Sequence, residues 1–146
     1  MPANSRFAVA VHILALMAQS EDEPIKSDKM ASSVNTNPVV IRRIMCALAG
    51  AKLVTSQTGA NGGSKLAQKP GQITLLDVYH AIEGGSIFAL HRQSPSRHCI
   101  VGSHIKPVLG SVLEEVNLEI ERALAKTTIE QVLHIIQARA RGQKRN

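Results

Sequence analysis

Apolar residues recur along this chain with a period that changes several times, and each change marks an element. Phe7, Val9, Val11, Ile13, Leu14, Leu16 and Met17 make a helix from Ser5, its candidate cap, to about Ser20 that is apolar almost all round. Such a helix has to be covered on more than one side, either as a core helix or as one shared between a domain and a dimer arm. The acidic Glu21-Asp22-Glu23-Pro24 stretch reads as a solvated loop. Ser27 can cap a short helix over 28–33, with Asp28 suiting the dipole of its first turn and Met30, Ala31 and Val34 facing inward. After the polar Asn35-Thr36-Asn37, Asn37-Pro38 opens the next helix, because a short polar side chain caps free N–H groups and proline at the first helical position costs no hydrogen bond. Ile41, Ile44 and Leu48, with Met45 beside them, give that helix one apolar face, and Gly50 is its expected end.

The period then shortens. Leu53 to Gln57 and Ser64 to Gln68 read as two strands, joined by a turn over Thr58-Gly59-Ala60-Asn61-Gly62-Gly63, where several positions tolerate positive φ cheaply. Thr74 with Asp77 forms a capping box for a helix that Gly84-Gly85 terminates and that packs through Leu75, Leu76, Val78, Ala81 and Ile82. Ser86 to Leu90 leave this domain, and a polar connection runs from His91 to Ser103. A long helix is expected from near Ile105, with Pro107 in its first turn and a stripe of Leu109, Val112, Leu113, Val116, Ile120, Ala123 and Leu124. Thr127 with Glu130 resembles a second capping box, opening a final helix striped by Ile129, Val132, Leu133 and Ile136. Arg139, Arg141, Lys144 and Arg145 read as a solvated, disordered basic tail.

This order of elements predicts a mainly α protein: a winged helix-turn-helix domain over 1–84 with a two-stranded wing, a connecting loop over 85–104, a long dimerisation helix and a packing helix over 105–141, and a tail over 142–146. Charge sharpens the reading. Between Lys29 and Leu76 there are six basic residues (Lys29, Arg42, Arg43, Lys52, Lys65, Lys69) and no Asp or Glu, an imbalance that favours a polyanion. At about 100° per residue, Val39, Arg43 and Cys46 lie on the side of their helix opposite Ile41, with Arg42 at its edge, so two guanidinium groups can enter a major groove. The candidate DNA contacts are Arg42 and Arg43 for base edges or phosphates, Val39 beside them, Thr36 and Asn37 for placement on the backbone, and Asn61, Gly62, Gly63, Ser64 and Lys65 for the wing. The long helix instead carries Glu114, Glu115, Glu119 and Glu121 between its apolar positions, which suits pairing with a second copy rather than with DNA.

With 146 residues, 44% of them hydrophobic, and a net charge of +6, the chain suits one compact domain with an appended element. Two cysteines far apart give no disulfide framework, and the early apolar run lacks a basic leader and is too short to span a bilayer. The expectation is a soluble cytoplasmic protein with no membrane partner. One Tyr, two Phe and no Trp leave it without the stacking aromatics of single-strand readers, so duplex DNA is the expected polyanion. It lacks a paired carboxylate and histidine motif for hydrolysis, and no catalytic residues are assigned.

Asn37-Pro38, Ile41-Arg42-Arg43-Ile44, Leu48, Leu53-Val54, Gly59, Asn61-Gly62-Gly63, Leu66-Ala67, Pro70, Ile73-Thr74-Leu75-Leu76-Asp77-Val78 and Ala81-Ile82-Glu83-Gly84 together resemble the winged-helix domain of the Rrf family of bacterial repressors. The resemblance covers residues 5–84 and continues in layout to about residue 140. It implies a homodimer on a pseudo-palindromic operator, a wing that reaches toward the minor groove, and a first helix shared with the dimer arm. The iron–sulfur members of the family carry three cysteines in the connection after the winged domain. Here Cys99 stands between Gln93 and Ile105, each six residues away, so neither a cluster nor any other cofactor is expected. His91, His98, Cys99 and His104 leave a zinc site, in a sensor or an enzyme, as the alternative, although their spacing is irregular. Cys99 is a candidate thiol switch, since Arg97 and His98 favour thiolate if they stay near the sulfur, and the candidate partner for it is a redox or small-molecule effector; a small buried hydrophobe is the competing reading. Cys46 reads as a silent surface thiol, and His12, His80 and His134 as structural.

Overall fold

A computed structural model describes residues 5–82 and 87–144; Gly84-Gly85, the expected helix stop, and Arg145 of the expected tail lie outside them. The described chain forms six helices, α1 (Ser5–Gln19), α2 (Ser27–Val34), α3 (Pro38–Gly50), α4 (Leu75–Ile82), α5 (Ile100–Ala125) and α6 (Ile129–Lys144), with strands β1 (Val54–Gln57) and β2 (Gly63–Leu66) between α3 and α4. The strands pair antiparallel, Val54 opposite Leu66 and Gln57 opposite Gly63. Ile25 extends this ribbon on its other edge, exchanging backbone hydrogen bonds with Ser64 at 2.9 and 2.8 Å.

The core explains why α1 is apolar all round. Ala10, Ile13, Leu14 and Met17 are buried, and the helix packs against α2, α3, α4, β2 and also α6. Met30, Ile41, Ile44, Leu48, Ile73, Val78 and Ile129 complete the cluster, each contributing about 1.5 to 3 kcal/mol by leaving water. Ile129 brings the last helix back to the first domain, where its N–H donates to the Ile73 carbonyl at 2.9 Å while the Leu75 N–H donates to Thr127 at 2.9 Å. Within the chain α5 touches α4, and none of its residues is buried.

Several boundaries differ from the sequence-based expectation, each for a local reason. Ser27 is not a cap: it lies inside α2, Lys26 occupies the cap position without a side-chain bond, and the helix reaches Val34 before Asn35 turns left-handed at φ 61°. Gly50 is the last residue of α3, as expected, and the chain reverses just beyond it. The positive φ falls on Lys52 (62°), where the Lys52 N–H can reach Ala49 and the Leu53 N–H can reach Leu48, both at 3.0 Å, satisfying carbonyls of the last turn. Each strand is one residue shorter than expected, β1 starting at Val54 and β2 running from Gly63 to Leu66, while the Ala67 N–H still donates to the Leu53 carbonyl at 2.9 Å. The long helix starts at Ile100, five residues before the expected point, so Pro107 and His104 lie within it and the connecting loop is correspondingly shorter. Pro107 was expected in the first turn; as the eighth residue of α5 it has no N–H to donate to the Ser103 carbonyl one turn back, a loss that costs an interior helix position about 3 kcal/mol. The second capping box is formed by Thr128 and Gln131, not Thr127 and Glu130, through Thr128 N–H to Gln131 Oε1 at 2.9 Å and Gln131 N–H to Thr128 Oγ1 at 3.2 Å. Arg139, Arg141 and Lys144 belong to α6 rather than to a disordered tail, and Arg141 and Lys144 in its last turn complement the helix dipole.

Candidate nucleic-acid interface

The turn between α2 and α3 is built from three polar residues. Asn35 adopts the left-handed conformation that asparagine tolerates, and the Thr36 N–H returns to the Ala31 carbonyl at 3.0 Å. Asn37 then caps α3: its Oδ1 accepts the Val39 N–H at 2.8 Å, and Pro38 supplies the first helical φ. This locks the entry of α3, while Ile41, Ile44, Met45 and Leu48 anchor its inner side. Val39, Arg42, Arg43 and Cys46 are all exposed on the opposite side, as their spacing requires. Among the described residues neither arginine is in an ion pair; the pairs found are His80 with Glu121 and Arg122 with Glu119. Both guanidinium groups are therefore available to an external anion.

The wing places its candidates unequally. Thr58, Gly59, Ala60 and Asn61 form the exposed tip. Gly62 is buried instead, and a Cβ there would stand 2.5 Å from the Gln57 carbonyl oxygen and 2.8 Å from that of Gly59. Gly63, at φ 148°, lies against the backbone of Ile25, where a Cβ would meet the carbonyl oxygen at 2.9 Å. Gly62 closes the hairpin on itself and Gly63 admits the Ile25 backbone alongside it, roles legible in the sequence only as a preference for a turn. Ser64 Oγ faces Ser56 Oγ at 3.1 Å, and Lys65 is half-buried opposite Thr55. The pairing of Thr55 with Lys65 depends on register, which the sequence does not fix.

A group overlooked in the sequence joins the winged domain to α5. Tyr79 donates to Asn117 Oδ1 at 3.4 Å, Asn117 Nδ2 donates to Glu121 Oε1 at 3.4 Å, and His80 Nε2 lies 3.3 Å from the same carboxylate oxygen. His80 thus has a structural role, as does His12, which pairs with Ser33 at 2.9 Å.

The sensor-like segment is not gathered into a metal site. Among the described residues no three His, Cys, Asp or Glu side chains are grouped where one ion could be held. His104 lies on α5 with its Nδ1 beside the Ser103 hydroxyl and the Ile100 carbonyl, at 2.8 and 2.9 Å. Cys99 is free and exposed at the N-cap of α5, so the buried-hydrophobe reading is set aside, and Cys46 is free and exposed on α3. Two thiols on separate elements do not fit an iron–sulfur cluster, which is held chiefly by three or four thiolates. Among the described residues no helix is long and apolar enough to cross a membrane.

The comparisons with known proteins agree with this geometry. The family model Rrf2, described as iron-dependent transcriptional regulator, matches residues 3–135. The chain is 42% identical over 132 residues to the helix-turn-helix-type transcriptional regulator YwnA of Bacillus subtilis, covering 90% of this chain and 96% of that protein. A solved structure described as a DNA-binding protein is 36% identical with a TM-score of 0.70, covering 88% of this chain and 98% of its own. CymR, the global cysteine regulator of B. subtilis, shares the fold at 20% identity with a TM-score of 0.65, over 90% of this chain and 95% of its own. Exposed arginines on a capped helix are consistent with the family match over most of the length, and that match leads to one conclusion: the chain belongs to the Rrf2 family of transcriptional regulators, DNA-binding proteins and not enzymes.

Proposed function

We propose that this protein is a cytoplasmic homodimeric repressor that binds a pseudo-palindromic operator and occludes it. The observation that carries the reading is the outer face of α3, where Arg42 and Arg43 stand exposed, without an acidic residue between Lys29 and Leu76. In the bound state Arg42 and Arg43 contact base edges or phosphates, Thr36 and Asn37 set α3 on the backbone, and the hairpin from Asn61 to Lys65 serves as the wing. The arm over α5 and α6 supplies the two-fold axis. At 26 residues α5 is about 39 Å long, and Val101, Val108, Val112 and Val116 lie along one stripe of it, exposed in the protomer. Each half-site is then read by one α3, with the half-sites about one helical turn apart.

The test is duplex binding by Arg43→Ala on an operator selected from a random library. Affinity is expected to fall by about 1 to 3 kcal/mol at fixed salt, and unchanged binding would remove α3 from the interface. Sedimentation of the unmodified protein is expected to give a dimer; a monomer overturns the two-fold model. Regulation through Cys99 rests on its exposure at the start of α5. Peroxide converts such a thiol to sulfenic acid with release of water. If Cys99 is the switch, peroxide changes operator affinity in the unmodified protein and in Cys46→Ser but not in Cys99→Ser.

A further inference from the structure

Val39 stands out on the interface for being apolar. Among the described residues up to Ile82 it is the large hydrophobic side chain left more than a third open, at 46% exposure; the other exposed ones begin at Ile87. Its position is tightly defined. It is the second residue of α3, follows Pro38, and has its N–H held by Asn37 Oδ1 at 2.8 Å. A β-branched side chain in a helix keeps essentially one χ1 rotamer, so the two methyl groups are presented in a fixed direction. They share a face with Arg42, Arg43 and Cys46, and that face carries no carboxylate.

The partner that suits this face is polyanionic and offers a small apolar group at a defined point. In the major groove of B-DNA that group is the 5-methyl of thymine, which the other three standard bases lack. The N-terminal residues of a recognition helix are the ones that reach base edges. Resting on the reading of α3 as the helix that enters the groove, we propose that Val39 is a specificity-determining residue that packs on the thymine 5-methyl group at one position in each half-site. Arg43, one turn further along, lies about 6 Å away along the helix axis, so the two side chains report on different base pairs.

The experiment takes the operator selected by the unmodified protein and replaces its thymines one at a time by deoxyuridine, which removes the methyl group and leaves every hydrogen-bonding edge intact. Anisotropy titrations are then run with the unmodified protein and with Val39→Ala at a salt concentration where both bind. One thymine in each half-site, related by symmetry, is expected to lose about three- to fivefold affinity on losing its methyl, the worth of one buried methyl group. Val39→Ala is expected to show no such loss at that position. If no thymine is sensitive, or if Val39→Ala remains equally sensitive, the assignment fails while operator binding itself stands. Failure to select any preferred duplex instead brings down the base-reading role of α3, and the role of Val39 with it. The uracil series on the unmodified chain needs no variant to fold.

Discussion

Asn37 allows the fold of α3 and its use to be separated by two substitutions with opposite effects. Its side-chain oxygen accepts the Val39 N–H at 2.8 Å, and Pro38 has no N–H, so this bond satisfies the first donor that the helix leaves unpaired. Asn37→Ala removes the acceptor at an exposed site where water can substitute, and is expected to cost about 1 kcal/mol. For a chain of this size that lowers Tm by roughly 3 °C at fixed protein concentration. Asn37→Asp keeps the acceptor and adds a negative charge at the positive end of α3, stabilising by about 0.3 to 1 kcal/mol and raising Tm slightly. The same charge faces the phosphates once α3 is docked. Operator affinity is therefore expected to fall further for Asn37→Asp than for Asn37→Ala at about 100 mM salt, where phosphate attraction is a large share of binding. Calorimetry and anisotropy titration on the same preparations read both effects. A more stable Asn37→Asp protein that binds DNA as tightly as the unmodified one would refute the docking of the α3 N-terminus on the backbone, and an unchanged Tm for Asn37→Ala would refute the cap.

Other consequences follow from packing. Gly62→Ala places a methyl group 2.5 Å from the Gln57 carbonyl oxygen, so the turn has to open; a stability loss of about 1 to 3 kcal/mol in urea unfolding and weaker operator binding are expected. Leu48 is fully buried, and Leu48→Ala is expected to cost about 2 to 5 kcal/mol by the same assay, against less than about 0.5 kcal/mol for the exposed neighbour Cys46→Ala. Val112 is half-exposed in the protomer, so Val112→Asp is expected to leave the protomer folded but to shift sedimentation from dimer to monomer. Loss of the link between half-sites then weakens operator binding by about a hundredfold or more.

Local chemistry was enough to place most helices. The apolar spacing of α3, the Asn37-Pro38 entry and the Thr74 and Asp77 capping box all appear where the residues imply, the last through Thr74 N–H to Asp77 Oδ2 at 2.9 Å and Asp77 N–H to Thr74 Oγ1 at 3.1 Å. These features depend on neighbours within one turn, so a linear reading captures them. The starts of α5 and α6 were harder to read for the same reason. A proline and a Thr-Glu pair are valid local signals, and the competing helical run from Ile100 and the Thr128 and Gln131 pair satisfy the same rules.

The residue pattern by itself specified a cationic helix face, a glycine-rich hairpin, an acidic amphipathic arm and a chain with too few cysteines for a cluster, because charge, turn preference and periodicity are properties of the residues in order. Packing across the fold determined the rest. It buried Gly62 inside the hairpin, set Ile25 against Ser64 as a third edge, tied Tyr79 and His80 to α5 through Asn117 and Glu121, and returned Ile129 to the core of the first domain. Each of those contacts joins residues that are distant along the chain, and their geometry exists only once the helices have packed.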